Sequence, residues 1–192
     1  YIEQSGINGL QMLENSLGSF GIRIQGKNAS TDYFEYQGTG YWYGALNAIT
    51  NEQMYKIRTS AACTAELVGD LALAESHPIT LNSGWSWIGF LSNQPVDINT
   101  ALSGITPEPN DIIKGRNGSA TYISYNEYHL WYGQLNTLQP GQGYMYMSNS
   151  ATPKTLVYQS GRENVEVKPN ITPETNVYVP ADADYADNML IT

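Results

Sequence analysis

The residues able to carry acid–base chemistry are few, and no recognisable catalytic pattern surrounds them. The chain has two histidines, His77 in a proline-flanked connector and His129 at the start of a predicted strand. A Ser/His/Asp arrangement needs a nucleophile on a strained turn, and no such motif accompanies either histidine. Eighteen acidic residues make chance pairs inevitable, so a glycosidase-type carboxylate pair is not indicated. We therefore expect no catalytic residues and no enzymatic activity.

Metal chemistry is equally poorly supported by the sequence. Cys63 is the only cysteine, which rules out an intrachain disulfide and a site built from several thiolates. Asp182, Asp184 and Asp187 place oxygens at nearly alternate positions, as calcium loops do, but a central glycine and a terminal glutamate are missing. We favour a solvated acidic linker there, with calcium as the alternative, and expect no cofactor and no metal site.

The aromatic residues are the one functional lead. Fifteen tyrosines and four tryptophans exceed what small cores readily bury. Sugar rings stack their C–H faces on exposed aromatic rings, and neighbouring amides bind sugar hydroxyls. The predicted ligand-binding platform consists of Tyr36, Tyr125, Tyr128 and Tyr132. In contrast, we expect Trp42 and Trp131 in cores, and Trp85 and Trp87 buried together on one strand face.

An internal duplication organises the elements that must position these residues. When residues 26–69 are laid over residues 115–158 without a gap, fifteen of 44 positions are identical. The matches include Tyr33, Trp42, Tyr43 and Tyr55, each paired with the residue 89 positions further on. Such self-similarity is typical of tandem structural repeats. Neither histidine has a counterpart at this offset, which argues against a duplicated active site.

Each copy is predicted to be an α+β module, mainly antiparallel β, with one short helix. In the second copy, we expect strands over 84–91, 110–115, 119–125, 129–135, 143–148 and 155–158, and a helix over 97–104. The first copy places its helix over 8–17, with Leu10, Leu13 and Leu17 facing inward. Arg116-Asn117-Gly118 indicates a tight hairpin in the second copy.

The resulting domain organisation is two tandem modules and a tail. Module one covers residues 1–70, with its opening strand either missing or borrowed, and module two covers residues 71–160. Residues 161–192 form a linker or the truncated start of a further β domain.

Composition limits the partners. The net charge of −9, with nine scattered basic residues, disfavours binding to nucleic acids or anionic membranes. No stretch approaches the roughly 20 apolar residues of a membrane-spanning helix. The absence of a signal peptide and an initiator methionine suggests a processed or excised piece.

Four motifs mark the second copy: Gly84-Trp85-Ser86-Trp87-Ile88-Gly89, Asp111-Ile112-Ile113-Lys114, Trp131-Tyr132-Gly133-Gln134-Leu135 and Pro140-Gly141-Gln142-Gly143-Tyr144. They carry a resemblance to a tandem module of uncharacterised secreted multidomain proteins of Bacteroidetes. It implies an extracellular or cell-surface unit beside other domains of a parent chain. Two hypotheses remain: an adhesion module that binds glycan or a host or cell-surface protein, and a structural spacer that binds nothing.

Overall fold

The computed structural model describes residues 2–3, 9–158, 174–179 and 188–190. Its helices are α1 (Gly9–Leu17) and α2 (Ile98–Ala101), with 3₁₀ turns at Gly18–Phe20 and Ala74–Ser76. The strands are β1 (Ile2–Glu3), β2 (Gly21–Gln25), β3 (Ser30–Tyr36), β4 (Thr39–Gly44), β5 (Tyr55–Thr59), β6 (Cys63–Val68), β7 (Asp70–Leu71), β8 (Ile79–Leu81), β9 (Gly84–Gly89), β10 (Val96–Asp97), β11 (Ile112–Gly115), β12 (Gly118–Tyr125), β13 (Tyr128–Gly133), β14 (Thr137–Leu138), β15 (Gly143–Ser148), β16 (Lys154–Leu156), β17 (Glu174–Val179) and β18 (Asn188–Leu190).

Two five-stranded antiparallel sheets dominate the fold. The first sheet has the order β4-β3-β2-β5-β18, and the second sheet has the order β13-β12-β11-β15-β9. Four strand pairs complete the described part of the chain: β1 with β7, β10 with β14, β8 with β16, and β6 with β17. Every described pairing is antiparallel, so the prediction of a mainly antiparallel β fold with a short helix is confirmed.

The two sheets share their strand registers. In the first sheet, Ile24 lies opposite Thr31 on one side and Ile57 on the other. In the second sheet, the residues 89 positions later have the same relation, since Ile113 lies opposite Ala120 and Tyr146. All six partner pairs of β3 with β4 likewise recur between β12 and β13 at this offset. The outermost strands differ in origin: β18 pairs with β5, whereas β9 pairs with β15.

One face of each sheet packs against its own hydrophobic core. In the first core, Leu10, Leu13 and Leu17 of α1 are buried, as predicted from their spacing. The second core is larger and includes aromatic residues from β13 and β15, the residue after β9, and the segment after β16. Its members include Ile88, Phe90, Ile98, Leu102, Ile113, Trp131, Leu138, Tyr144, Tyr146, Leu156 and Tyr158.

The second helix is shorter than the predicted 97–104. Asp97 is its N-cap, and the Asp97 carboxylate accepts hydrogen bonds from the Asn99 N–H (2.9 Å) and the Thr100 N–H (3.3 Å). The helix ends at Ala101 because the Ser103 hydroxyl and N–H both turn back to the Thr100 carbonyl. Thus the chain tightens into a turn instead of adding helical residues.

The helix also protects an edge of the second sheet. The backbone N–H of Trp131 in β13 points away from the sheet and donates to Asn99 Oδ1 over 3.1 Å. β13 is the outermost strand of that sheet, so α2 supplies a side-chain acceptor to an edge backbone donor.

The predicted face of β9 is wrong. Trp85 is 41% exposed, and Trp87 is half-buried, whereas Ser86 and Ile88 are buried. The neighbouring strand explains this orientation, because Ser86 and Ile88 lie opposite Tyr146 and Tyr144, whose side chains fill the core. Period-two alternation was correctly recognised, but the opposite face is buried.

Candidate functional site

Two hairpins extend beyond the cores. Every residue from 34 to 41 in the β3–β4 hairpin is exposed, and so is every residue from 123 to 130 in the β12–β13 hairpin. We call these segments the first arm and the second arm. The arms end in two-residue turns in which Gln37 and Asn126 adopt positive φ angles of 52° and 55°. Such turns match the twist of paired strands, so the arms continue the sheets as ordered ribbons.

The predicted platform residues are all exposed. Tyr125 (70% exposed) and Tyr128 (68%) are cross-strand partners at the end of the second arm. Tyr132 (69%) lies on the same face four residues further along β13. Tyr36 (62%) occupies the corresponding end position of the first arm. The structure thus brings three of the four predicted residues onto one hairpin face and places Tyr36 on the other arm.

The outer face of the second sheet continues from the second arm across all five strands. Consecutive register partners connect Tyr132 to Thr121, Thr121 to Ile112, Ile112 to Met147, and Met147 to Trp85. We call these five residues the apolar row. Ile112, Thr121 and Met147 are half-buried, while the aromatic residues at the two ends are exposed. The row carries no charged side chain; Lys114 and Ser119 flank it in the next cross-strand position.

The corresponding face of the first sheet is charged. There, register partners connect Tyr43 to Asp32, Asp32 to Arg23, and Arg23 to Arg58. Arg23 forms a two-pronged ion pair with Asp32, with Nε–Oδ1 at 2.6 Å and a second guanidinium contact at 3.3 Å. The two sheets therefore have matching strand registers but different outer surfaces.

The two tryptophans related by the 89-residue offset differ in burial between the sheets. Trp131 is 6% exposed and packs its ring against Tyr122 and Tyr146, with centroids 5.4 and 5.8 Å apart. Trp42 is half-buried against the first core and meets Tyr33 edge to face at 5.5 Å. Trp131 is in the core, as predicted, and Trp42 lies at a core margin.

Each histidine lies beside a polar side chain. His77 Nδ1 lies 2.7 Å from Glu52 Oε1, and His129 Nδ1 lies 3.0 Å from Ser124 Oγ on the exposed second arm. Within the described ranges, no group of three His, Cys, Asp or Glu side chains could hold a metal ion. The candidate calcium segment at 182–187 lies outside the described residues. No described helix is long and apolar enough to cross a membrane.

Asp111, within the strand predicted over 110–115, is a fully buried carboxylate for which the sequence indicates no special role. It accepts hydrogen bonds from the Asn149 N–H (2.7 Å), the Tyr146 hydroxyl (2.7 Å) and Lys154 Nζ (2.8 Å). Burial by itself would raise the pKa of Asp111, but these donors outweigh it and lower the pKa. The same burial, together with the bond to Asp111, raises the pKa of Tyr146 beyond its usual range. Through these hydrogen bonds, the Asp111 carboxylate connects the start of β11 to β15 and β16.

Sequence reasoning missed the apolar row as well. Its residues come from five strands, and only the strand order and register bring them together. The alternation of Trp85 and Trp87 is the one local sign of this surface, but the sequence prediction places both tryptophans on the buried face of the strand. Comparison with protein-family models, curated proteins and solved structures finds no match for this chain.

Proposed function

We propose that this chain is a non-catalytic binding unit of a secreted or cell-surface protein, built from two tandem copies of one antiparallel module. Its activity is adhesion through glycans or protein surfaces. The observation that carries the proposal is the exposed aromatic arm that occurs at equivalent positions of both sheets.

The tandem-module part rests on details that a shared fold class alone would not produce. The Thr50 N–H donates to the Tyr55 hydroxyl over 2.8 Å, and the Gln139 N–H donates to the Tyr144 hydroxyl over 2.7 Å. These contacts are related by the same 89-residue offset as the strand registers. They favour duplication of an ancestral module over chance similarity of two sheets.

The binding part rests on surface chemistry. Aromatic side chains contribute most to folding when they are buried, yet Tyr36, Tyr125 and Tyr128 bury little of their surface in the fold. Tyrosine combines a flat apolar ring with a hydroxyl and loses little conformational entropy on binding, which suits it to recognition. Exposed apolar patches of this kind commonly mark interaction sites.

The alternative function is a structural spacer, and contacts between the two modules favour it. The Glu52 carbonyl accepts a hydrogen bond from the Gly89 N–H over 2.9 Å, and the Glu52 carboxylate pairs with His77. Met54 is fully buried where Gly143 leaves room for it. Such contacts would fix the relative orientation of the modules, as a spacer requires.

A glycan-array and mucin-binding screen of the intact chain decides between the two functions. Binding that falls in Tyr125→Ala and Tyr132→Ala, while the circular dichroism spectrum and unfolding temperature are retained, is the expected result for a binding unit. Leu73→Ala, which removes an exposed apolar side chain outside the sheets, serves as the matched control. A well-folded chain that binds nothing on the array and no mucin would leave the spacer function.

A further inference from the structure

We propose that the apolar row is the principal ligand site, and that it binds a neutral, linear glycan chain laid across the strands of the second sheet. This inference rests on the proposed binding function and adds to it a location and a ligand class. The first sheet lacks the site.

The row has suitable dimensions for an extended chain. Neighbouring strands lie about 4.8 Å apart, so the five strands place the first and last residues of the row about 19 Å apart. One side chain from each strand contributes, and the row runs perpendicular to the strand direction. Several consecutive sugar rings can therefore contact one continuous track.

The side chains suit the two surfaces of a sugar ring. Trp85 and Tyr132 offer exposed aromatic rings at the two ends for stacking against C–H faces. Between them, Met147 and Ile112 supply apolar contact, and the flexible thioether of Met147 adapts to an irregular surface. The hydroxyls of Thr121 and Tyr132 are available as partners for sugar hydroxyls.

The absence of charge in the row and the negative net charge of the chain favour a neutral glycan over an acidic one. The five residues carry no charge, so binding requires no ion to be stripped of water. The chain as a whole has a net charge of −9, which repels acidic polysaccharides. On β11, next to the apolar row, Lys114 contributes a cationic side chain opposite Ser119. In the first sheet, a ligand at the same place would have to cover the Arg23–Asp32 ion pair.

A hydrophobic protein partner is the competing occupant, and the dimensions of the row disfavour it. Stable protein interfaces bury about 800 Å² per partner, typically as a broad patch with an apolar centre. Ile123 and Leu130 extend the apolar surface on the arm side, and on the other side Lys114 and Ser119 interrupt it beside Met145 and Trp87, so the surface is an interrupted band and not a broad apolar patch.

The test is a binding assay of the intact chain on insoluble cellulose, chitin, mannan and xylan, with affinity electrophoresis in soluble neutral and acidic polysaccharides. We expect retention by at least one neutral polysaccharide. Trp85→Ala and Tyr132→Ala should each weaken that binding roughly tenfold. Tyr43→Ala, the matched variant in the first sheet, should bind as wild type.

Trp85→Leu separates stacking from general hydrophobic contact. It keeps an apolar side chain on β9, so its fold is preserved even if the alanine variant is unstable. Loss of polysaccharide binding in Trp85→Leu supports ring stacking, whereas wild-type affinity would show that the Trp85 ring does not stack on the ligand and would overturn the inference. Retention by acidic polysaccharides alone, or equal losses in Tyr43→Ala, would also overturn it.

The outcome is distinguishable from failure of the proposed function. If the chain binds glycan and Tyr125→Ala abolishes that binding while Trp85→Ala does not, the adhesion function stands and the row is not its site. If the chain binds no glycan and no mucin, both proposals fail.

Discussion

Among individual residues, Asp111 shows how the second sheet and its surroundings differ from the first. The residue 89 positions earlier is Ile22, and the partners Tyr146 and Lys154 correspond to Ile57 and Ala65. Apolar side chains thus stand at the earlier positions where the later ones form a buried charged cluster. Buried ion pairs of this kind are expensive to break, because removal of one member leaves the others desolvated and unpaired.

Replacement of Asp111 should destabilise the chain strongly. We expect Asp111→Ala to lower the free energy of unfolding by about 3–5 kcal/mol, because Lys154 and the Tyr146 hydroxyl lose their buried partner. Urea denaturation followed by tryptophan fluorescence measures the change. Asp32→Ala, which breaks an exposed ion pair, should change the free energy of unfolding far less. Similar losses in both variants would contradict the structural role of Asp111.

The same residue gives the chain a specific acid sensitivity. The folded-state pKa of Asp111 is lowered, so its contribution is fully present above the unfolded-state value of about 3.9 and disappears as pH falls through the folded value. Glu52 acts in the same direction: burial by itself would raise its pKa, but the hydrogen bonds from His77, Thr50 and the Glu52 backbone together lower it. Asp111→Asn should therefore show a shallower loss of stability below about pH 4 than wild type does.

At the level of secondary-structure elements, the hairpins depend on close approach at their bases. Gly44 and Gly133 end β4 and β13, and an added Cβ would lie 2.1 Å from the Ser30 carbonyl oxygen or 2.2 Å from that of Ser119. Those carbonyls accept two backbone N–H groups each from the residues after the glycines. The glycines thus allow the chain to cross over the neighbouring strand as it leaves the sheet.

An alanine at Gly133 should disturb this crossing. We expect Gly133→Ala to lower the free energy of unfolding by about 1–3 kcal/mol, because the clash is with backbone atoms that cannot rotate away. Thermal unfolding monitored by circular dichroism measures it. Gly38→Asn, at an open turn position with φ of 75°, is the control and should be nearly neutral. A stable Gly133→Ala protein would show that the strand can shift.

The elements also show what the sequence can and cannot predict. Leucine spacing predicted the buried face of α1, and turn residues predicted the hairpins, because those signals are local. The face of β9 was predicted incorrectly, since alternation has two phases and the core tyrosines of β15 decide between them. The apolar row and the Asp111 cluster join residues from several strands, so they required the sheet order.

Across the whole molecule, Met54 connects the two sheets. It is fully buried but belongs to neither hydrophobic core, and its side chain occupies the space beside Gly143 in the second sheet. The Glu52–Gly89 and Glu52–His77 contacts lie beside it and join the same segment to β9 and to the residues before β8.

Removal of this connection should uncouple the modules. We expect wild type to unfold in one calorimetric transition and Met54→Ala to unfold in two, with a total loss of about 2–5 kcal/mol from the vacated space. Leu13→Ala removes an equally buried side chain inside the first core. It should lower the free energy of unfolding but leave the contact between the sheets intact, so its unfolding should remain a single transition. A single transition in Met54→Ala would place the coupling elsewhere.

The contact between Asn99 and Trp131 has a consequence for association between molecules. An outermost strand with free backbone donors is a template on which the same strand of another molecule can assemble, and β13 also presents exposed apolar side chains. By occupying the outward N–H of Trp131, Asn99 interrupts that template in the middle of the strand. The four-residue helix α2 therefore opposes edge-to-edge pairing of β13 with the β13 of another molecule.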